Sequence, residues 1–258
     1  MDEYSFLGNV AVADSVDSYD RAVTPFLAPT FHSESVLAIH FHRTRRPRVL
    51  FRWVPDETLR RMFDERYEKL GFMVDPFFRR AFLIQHWEAD LLRNIAPDRF
   101  ESSEYFTSYF GDTKMVDELG FVSRIDTDTA VHLSIGRNEG RRRFRSGEVT
   151  KFRQLSQVLA PKLTQILRNQ PELDVVEAQP LDRRFHAMAH ARRTDISMRE
   201  AEVAALIVQG HSSRAIGLKL GISVQTVKVH RRTLYKKLSI SSQNELFGLL
   251  VSYVGTDR

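Results

Sequence analysis

Residues 196–250, ISMREAEVAALIVQGHSSRAIGLKLGISVQTVKVHRRTLYKKLSISSQNELFGLL, contain four helix starts in close succession, and their reading decides the fold. Ser197 with Glu200 three residues on is a capping box, in which hydroxyl and carboxylate each take an N–H that the first helical turn leaves unbonded. Val203, Leu206, Ile207 and Val208 follow, and Gly210 closes the helix. Ser212 or Ser213 caps a second helix, RAIGLKL, which Gly221 ends. Ser223 then caps VQTVKVHRRTLYKKL. Here Val227, Leu234 and Leu238 recur at seven- and four-residue steps on one face, while Lys228, Arg231, Arg232 and Lys236 occupy the other. Ser242 and Glu245 open a fourth helix with an apolar stripe of Leu246, Leu249, Leu250 and Tyr253.

Two short helices joined by a tight glycine-containing turn, the second apolar on one side and cationic on the other, are the parts of a helix-turn-helix. The major groove of a duplex admits such a helix. Lys and Arg donate to guanine O6 and N7, Gln225 has the donor and acceptor that match adenine N6 and N7, and a valine methyl meets a thymine methyl. Further cations hold phosphates and set the register.

On these residues the segment resembles the LuxR/FixJ/NarL-type DNA-binding domain nearly end to end. The resemblance is carried by Arg199-Glu200, Ala215-Ile216, Gly221-Ile222-Ser223, Thr226-Val227-Lys228-Val229-His230 and Lys237-Leu238, and it covers about a quarter of the chain. It implies base contacts by Lys228, Val229 and Arg232 beside Gln225, and phosphate contacts by Ser213, Thr226, Arg231, Lys236 and Lys237. It also implies a homodimer contact through Leu246, Leu249, Leu250 and Tyr253. Two positions depart from the family pattern, which has an acidic residue where Ala215 stands and alanine where Gly217 stands. A glycine in mid-helix costs about 1 kcal/mol, and a close crossing of helices two and three would explain it.

Charge agrees with this placement. Residues 196–258 hold nine Lys and Arg against four Asp and Glu, the whole of the chain's net +5, whereas residues 1–195 balance at 29 of each. Positive charge concentrated in one quarter marks where a polyanion binds. Seventeen of the eighteen phenylalanines lie on the other side of that division. The chain has no cysteine, which excludes disulfides, thiolate catalysis and cysteine-ligated metals. Its first residues are acidic and no apolar run reaches the roughly 18–20 residues of a membrane span, so a cytoplasmic protein is expected.

The first 170 residues read as alternating strands and helices. DSVDSYDRAVTPFLAP predicts a helix ended by its prolines; SVLAIHFHRT (35–44) and RVLFRWV (48–54) predict paired strands. ETLRRMFDERYEKL reads as an amphipathic helix, and a second helix runs from Asp75-Pro76 through FFRRAFLIQHWEADLL. ELGFVSRID (118–126) and TAVHLSIGR (129–137) alternate as a hairpin, and GEVTKFRQLSQVLAPKLTQILRNQ is a long helix with Pro161 inside. Four strands in a mixed sheet with flanking helices resemble the PAS- and GAF-like sensor domains. The expected fold is therefore a two-domain α+β protein. Residues 1–172 form a GAF/PAS-like α/β sandwich, 173–194 a linker, and 195–258 an all-α four-helix domain.

LuxR-type domains are attached to phosphorylated receivers or to lactone-binding domains. The acidic pair, aspartate and lysine of a receiver are not found. Phe63-x3-Tyr67 and Asp75-Pro76 resemble the Trp-x3-Tyr and Asp-Pro marks of the acyl-homoserine-lactone receptors, but a phenyl lacks the indole N–H that a lactone carbonyl would receive. Phe63, Tyr67, Asp75 and Trp87 are the candidate ligand residues, and Asp75-Pro76 also has the chemistry of an ordinary helix start. The phenylalanines suit a thick aromatic core or an apolar pocket. Two runs, Arg43 to Arg48 and Arg141 to Arg145, form basic loops.

His40 and His42 share a strand face, and His186 and His190 are four apart, but no carboxylate stands at metal-ligand spacing from either pair. No metal and no cofactor are expected. Nucleophile elbow, phosphate loop and dinucleotide fingerprint are lacking, so the chain does not read as an enzyme. The reading is a sequence-specific transcriptional regulator whose first domain senses a small apolar or aromatic molecule. RNA polymerase is a further partner if the protein activates. The alternatives are control by a protein partner through that domain, and an acyl-homoserine-lactone receptor.

Overall fold

A computed structural model describes residues 1–57, 60, 67, 71–103, 106–107, 113–169 and 179–256. The chain divides into two compact units. One comprises residues 1–68, 76–95 and 113–177, and the other residues 69–75, 96–112 and 178–258.

The first unit is built on a five-stranded sheet. Helices α1 (Glu3–Val12) and α2 (Val16–Thr30) precede strands β1 (Ser35–His42) and β2 (Arg45–Trp53). Helix α3 (Pro76–Ala81), β3 (Trp87–Leu91), β4 (Met115–Arg124), β5 (Thr129–Asn138) and the long α4 (Ser146–Arg168) follow. The strand order is β2-β1-β5-β4-β3, and every pairing is antiparallel. The expected mixed sheet is therefore corrected to an antiparallel one. Both hairpin expectations, β1–β2 and β4–β5, hold in place.

Alternation sorts the strand residues onto two faces. Val36, Ala38, Phe51, Leu119, Phe121, Val131, Leu133 and Ile135 meet α1, α2 and α4 in one continuous core. Phe6 stacks on Phe26 at 3.9 Å, and Phe31 meets Phe152 edge to face at 5.7 Å within that core. The other face carries His132, whose ring lies 4.2 Å from Phe77 of α3 and 5.8 Å from Phe41.

Three elements differ from expectation. The helix read from Asp75 through Leu92 stops at Ala81, and Trp87–Leu91 is an edge strand paired with β4. Its alternating burial is the period-two signal that the preceding aromatic run had masked. Pro25 and Pro29 lie inside α2 rather than ending it, because Val23, Phe26, Leu27 and Ala28 are anchored in the core on either side. Within the stretch read as linker, Leu181–Ala191 is a helix, α5. The helix read at ETLRRMFDERYEKL lies largely outside the described residues.

The second unit consists of α5, α6 (Met198–Val208), α7 (Ser213–Leu220), α8 (Val224–Leu238) and α9 (Gln243–Thr256). Helix α6 is central and touches α5, α7, α8 and α9. Two segments from earlier in the chain complete this unit. They contribute Phe72, Met73, Val74 and Phe100, all buried, and Gln209 Nε2 donates to the Met73 carbonyl at 3.2 Å. Among the described residues, no helix is long and apolar enough to cross a membrane.

Candidate nucleic-acid interface

The helices of the second unit begin where serines stand. Ser197, Ser212 and Ser223 each accept the N–H of the residue three positions on, and Ser197 with Glu200 forms the full box. Helix α7 ends at Gly221 in the left-handed conformation, φ +64°, and Ser223 starts α8 two residues later. This is the tight turn of a helix-turn-helix. The close approach at Gly217 is to the turn rather than to a crossing helix, since a Cβ there would lie 2.8 Å from the Ile222 carbonyl oxygen and 3.6 Å from the Val224 nitrogen that starts α8.

Helix α8 is divided lengthwise. Val227, Leu234 and Leu238 are buried against α6 and α7, each contributing about 1.5–3 kcal/mol of transfer free energy. That burial fixes the rotation of the helix about its axis. Gln225, Lys228, Val229, Arg232 and Lys236 consequently share the exposed side, and Val229 keeps 47% of its surface. No hydrogen bond or ion pair engages Lys228, Arg232 or Lys236 among the described residues. The side of α8 that packs and the side left exposed are therefore set by three aliphatic residues.

The phosphate candidates are placed unequally. Ser213 is half-buried at the first position of α7, and Thr226 shares a 2.8 Å hydroxyl contact with Ser223 in the cap of α8. The Arg231 guanidinium lies over the Tyr235 ring at 5.1 Å. Lys237 has a partner within the protein: its ammonium donates to Glu200 Oε2 at 2.8 Å, on a carboxylate with only 5% of its side chain exposed, while the lysine side chain itself is 36% exposed. Burial alone would raise the Glu200 carboxyl, but Lys237 and the Ser197 N–H outweigh it and hold it below its ordinary value. Lys237 thus ties α8 to the start of α6.

The dimer candidates split likewise. Leu246 and Leu250 are 0% and 1% exposed, because α9 lays this side on α6 and α5. They are corrected from partner contacts to core. Leu249 and Tyr253 are half-buried, and Val251 is exposed beside them.

Of the ligand candidates, Phe63 lies outside the described residues. Tyr67 is buried, and Asp75 is buried with its N–H on the Gly71 carbonyl at 3.1 Å. Trp87 pairs with Ser123, whose hydroxyl meets Thr164 of α4 at 2.8 Å, so Trp87 stands on the α4 side of the sheet. His132, which sequence reasoning did not single out, is on the opposite side. Its Nδ1 is 2.9 Å from the Phe121 carbonyl, and Nε2 is 3.6 Å from the Glu118 carboxylate. The alternation of TAVHLSIGR was the available signal, placing His132 away from Val131 and Leu133. His40 is more than half buried and its pKa is lowered to about 4, by burial first and then by the charge of His42. No metal-binding cluster occurs among the described residues.

Comparison with known proteins agrees with this geometry. Residues 194–250 match the model of the bacterial regulatory proteins, luxR family. The chain is 30% identical over 159 residues to a putative HTH-type transcriptional regulator in the exeN 3' region of Aeromonas salmonicida, covering 59% of this chain and 81% of that one. It is 39% identical over 59 residues to the transcriptional regulatory protein UhpA of Escherichia coli, spanning 23% of this chain and 30% of that protein. Among solved structures, the VqsR LBD domain from Pseudomonas aeruginosa shares the fold at a TM-score of 0.54 and 20% identity, over 65% of this chain and 98% of its own. Helix-turn-helix geometry, the family match and a relative spanned over most of its length lead to one conclusion: this chain belongs to the luxR family of bacterial regulatory proteins, transcriptional regulators with a helix-turn-helix.

Proposed function

We propose that the protein acts as a homodimer that reads a specific DNA sequence through α8. Gln225, Lys228, Val229 and Arg232 contact base edges, and Ser213, Thr226, Arg231 and Lys236 hold phosphates. Residues 1–172 serve as the sensor, 173–194 as the connection and 195–258 as the reader. The observation that carries this reading is the exposed face of α8, where Lys228 and Arg232 have no hydrogen-bond or ion-pair partner among the described residues and stand beside the exposed Gln225 and Val229. Leu249 and Tyr253, with Val251, present the side of α9 that a second copy would cover. A dimer of this kind reads a near-palindrome with half-sites about one helical turn, 10–10.5 base pairs, apart. Selection of bound duplexes from a random pool tests it. Enrichment of such a repeat is expected, and a pool that stays random overturns the sequence-specific reading.

The sheet unit responds to a small apolar or aromatic molecule. Support comes from its likeness to a domain titled LBD and from the aromatic group of Phe41, Phe77, Phe78, Phe82 and His132 on the sheet face opposite α4. Mass spectrometry of molecules released on denaturing the purified protein tests this. A retained apolar compound that changes duplex affinity is the expected result, and a protein that copurifies instead would transfer the sensing role to a protein partner. RNA polymerase is the further partner if the regulator activates.

A further inference from the structure

The last four helices of the second unit all start at a serine whose hydroxyl accepts the N–H three residues on. The acceptor serines are Ser197, Ser212, Ser223 and Ser242. They differ in what comes back to the cap. Glu200 takes the Ser197 N–H at 2.7 Å, Glu245 takes the Ser241 N–H at 3.3 Å, and the Thr226 hydroxyl meets the Ser223 hydroxyl at 2.8 Å. Ala215 at the equivalent place in α7 has no polar atom to return. The Ser212 N–H is bonded instead by Asp98 Oδ1 at 3.0 Å, a residue 114 positions earlier.

Asp98 is held there by its neighbours. The Arg99 N–H donates to the Gly210 carbonyl at 2.9 Å, and Phe100 is buried. The backbone of Phe100 sits so close that a Cβ on Gly210 would lie 2.8 Å from the Phe100 Cα. Gly210 itself has φ +84°, so both the turn and the close approach require glycine. Burial would raise the Asp98 carboxyl, but the bonds from Ser212 and the charge of His211 outweigh it, leaving it below its ordinary value and ionised at neutral pH.

The start of α7 is a place for an anion, since its first N–H groups point outward at the positive end of the helix dipole. In a helix-turn-helix the first of the two helices crosses the DNA backbone, and helix starts take phosphates. We propose that residues 97–103 form an autoinhibitory strap, with Asp98 occupying the position at the start of α7 that a DNA phosphate takes in the bound state. The inference rests on the DNA-reading role of α7 and α8. The strap lies within the connection between β3 and β4, two strands of the sheet unit, and this chain continuity is the route by which an event there releases it.

The test measures binding of the full-length protein to a fluorescein-labelled duplex of arbitrary sequence, by anisotropy over a range of salt. Asp98→Asn keeps an acceptor for the Ser212 N–H and removes only the charge. It should bind about two- to fivefold more tightly, with a log–log salt slope steeper by about 0.9, the increment of one added phosphate contact. Gly210→Ala, which pushes the strap away sterically, should also bind more tightly. Glu101→Gln makes the same charge change on an exposed strap residue three positions further on and should bind as the wild type does. The strap is refuted if Asp98→Asn binds no more tightly than wild type, or if Glu101→Gln matches it. Should Gly210→Ala fail to fold, Asp98→Asn decides alone. If wild type binds and Lys228→Ala weakens it while Asp98→Asn is neutral, only the strap falls. If no form binds a duplex, the DNA-reading role falls and takes the strap with it.

Discussion

The cations of the sheet unit and those of helix α8 are chemically alike and used in opposite ways. Arg137 has 2% of its side chain exposed, donates to the Phe31 carbonyl, the Arg142 carbonyl and Glu148, and lies over the Phe144 ring at 4.1 Å. Arg93 pairs with the buried Asp117, which also accepts the Phe144 N–H at 2.8 Å; Arg153 and Arg168 hold the Ala89 and Ile125 carbonyls. These groups hold α4 and the loop before it against the sheet. On α8, Lys228, Arg232 and Lys236 are exposed and have no such partners among the described residues. Charge predicts a polyanion site only where it is uncommitted, so the hydrogen-bond partners of a cation say more than its place in the sequence.

The contrast is broken or sharpened by substitution. The largest effect is expected from Arg137→Met, which strands Glu148 and the Phe31 carbonyl in the interior. It should cost about 3–5 kcal/mol of stability in chemical denaturation of the whole protein. Lys228→Ala and Arg232→Ala should leave unfolding unchanged, yet each should weaken binding to the selected duplex by about 1–3 kcal/mol and relax its sequence preference. Equal losses on unrelated duplexes would show that they hold only phosphates.

The neighbours Lys237 and Lys236 divide along the same line. Lys237→Ala should lower stability by about 1–3 kcal/mol by leaving Glu200 without its charged partner. Lys236→Ala should leave stability alone and flatten the salt slope by about 0.9. A Lys237→Ala protein of wild-type stability and weakened duplex binding would reverse the assignment. The smallest effect is in pH. Glu200 is ionised more readily folded than unfolded, so its contribution is complete above its ordinary value of 4.5 and is lost as pH falls through and below it. Glu200→Gln should lack that part of the acid limb of a stability–pH profile.

The reader was legible because its signals are local. Ser197 with Glu200, Gly210, Gly221 and Ser223 mark helix ends within a few residues of where they act, and the spacing of Val227, Leu234 and Leu238 sets which side of α8 is outermost. Lys237 shows where local reading stops. It lies one residue from Lys236 and differs only in meeting a carboxylate 37 positions away. Leu246 and Leu250 show the same, since an apolar stripe does not say whether its own domain or a second copy covers it. In the sheet unit the period-two pattern found β1, β2, β4 and β5. It missed β3, where the run from Phe77 to Trp87 has the apolar density of a helix.

From the sequence alone came the helix-turn-helix, the face of α8 left exposed, and the concentration of positive charge near it, because each depends on periodicity, composition and caps a few residues apart. Only the tertiary structure decided the antiparallel strand order, the pairing of Lys237 with Glu200, and the cap that Asp98 places on α7. These depend on residues brought together across dozens to more than a hundred positions, and no local pattern encodes which distant carboxylate will meet which unbonded N–H.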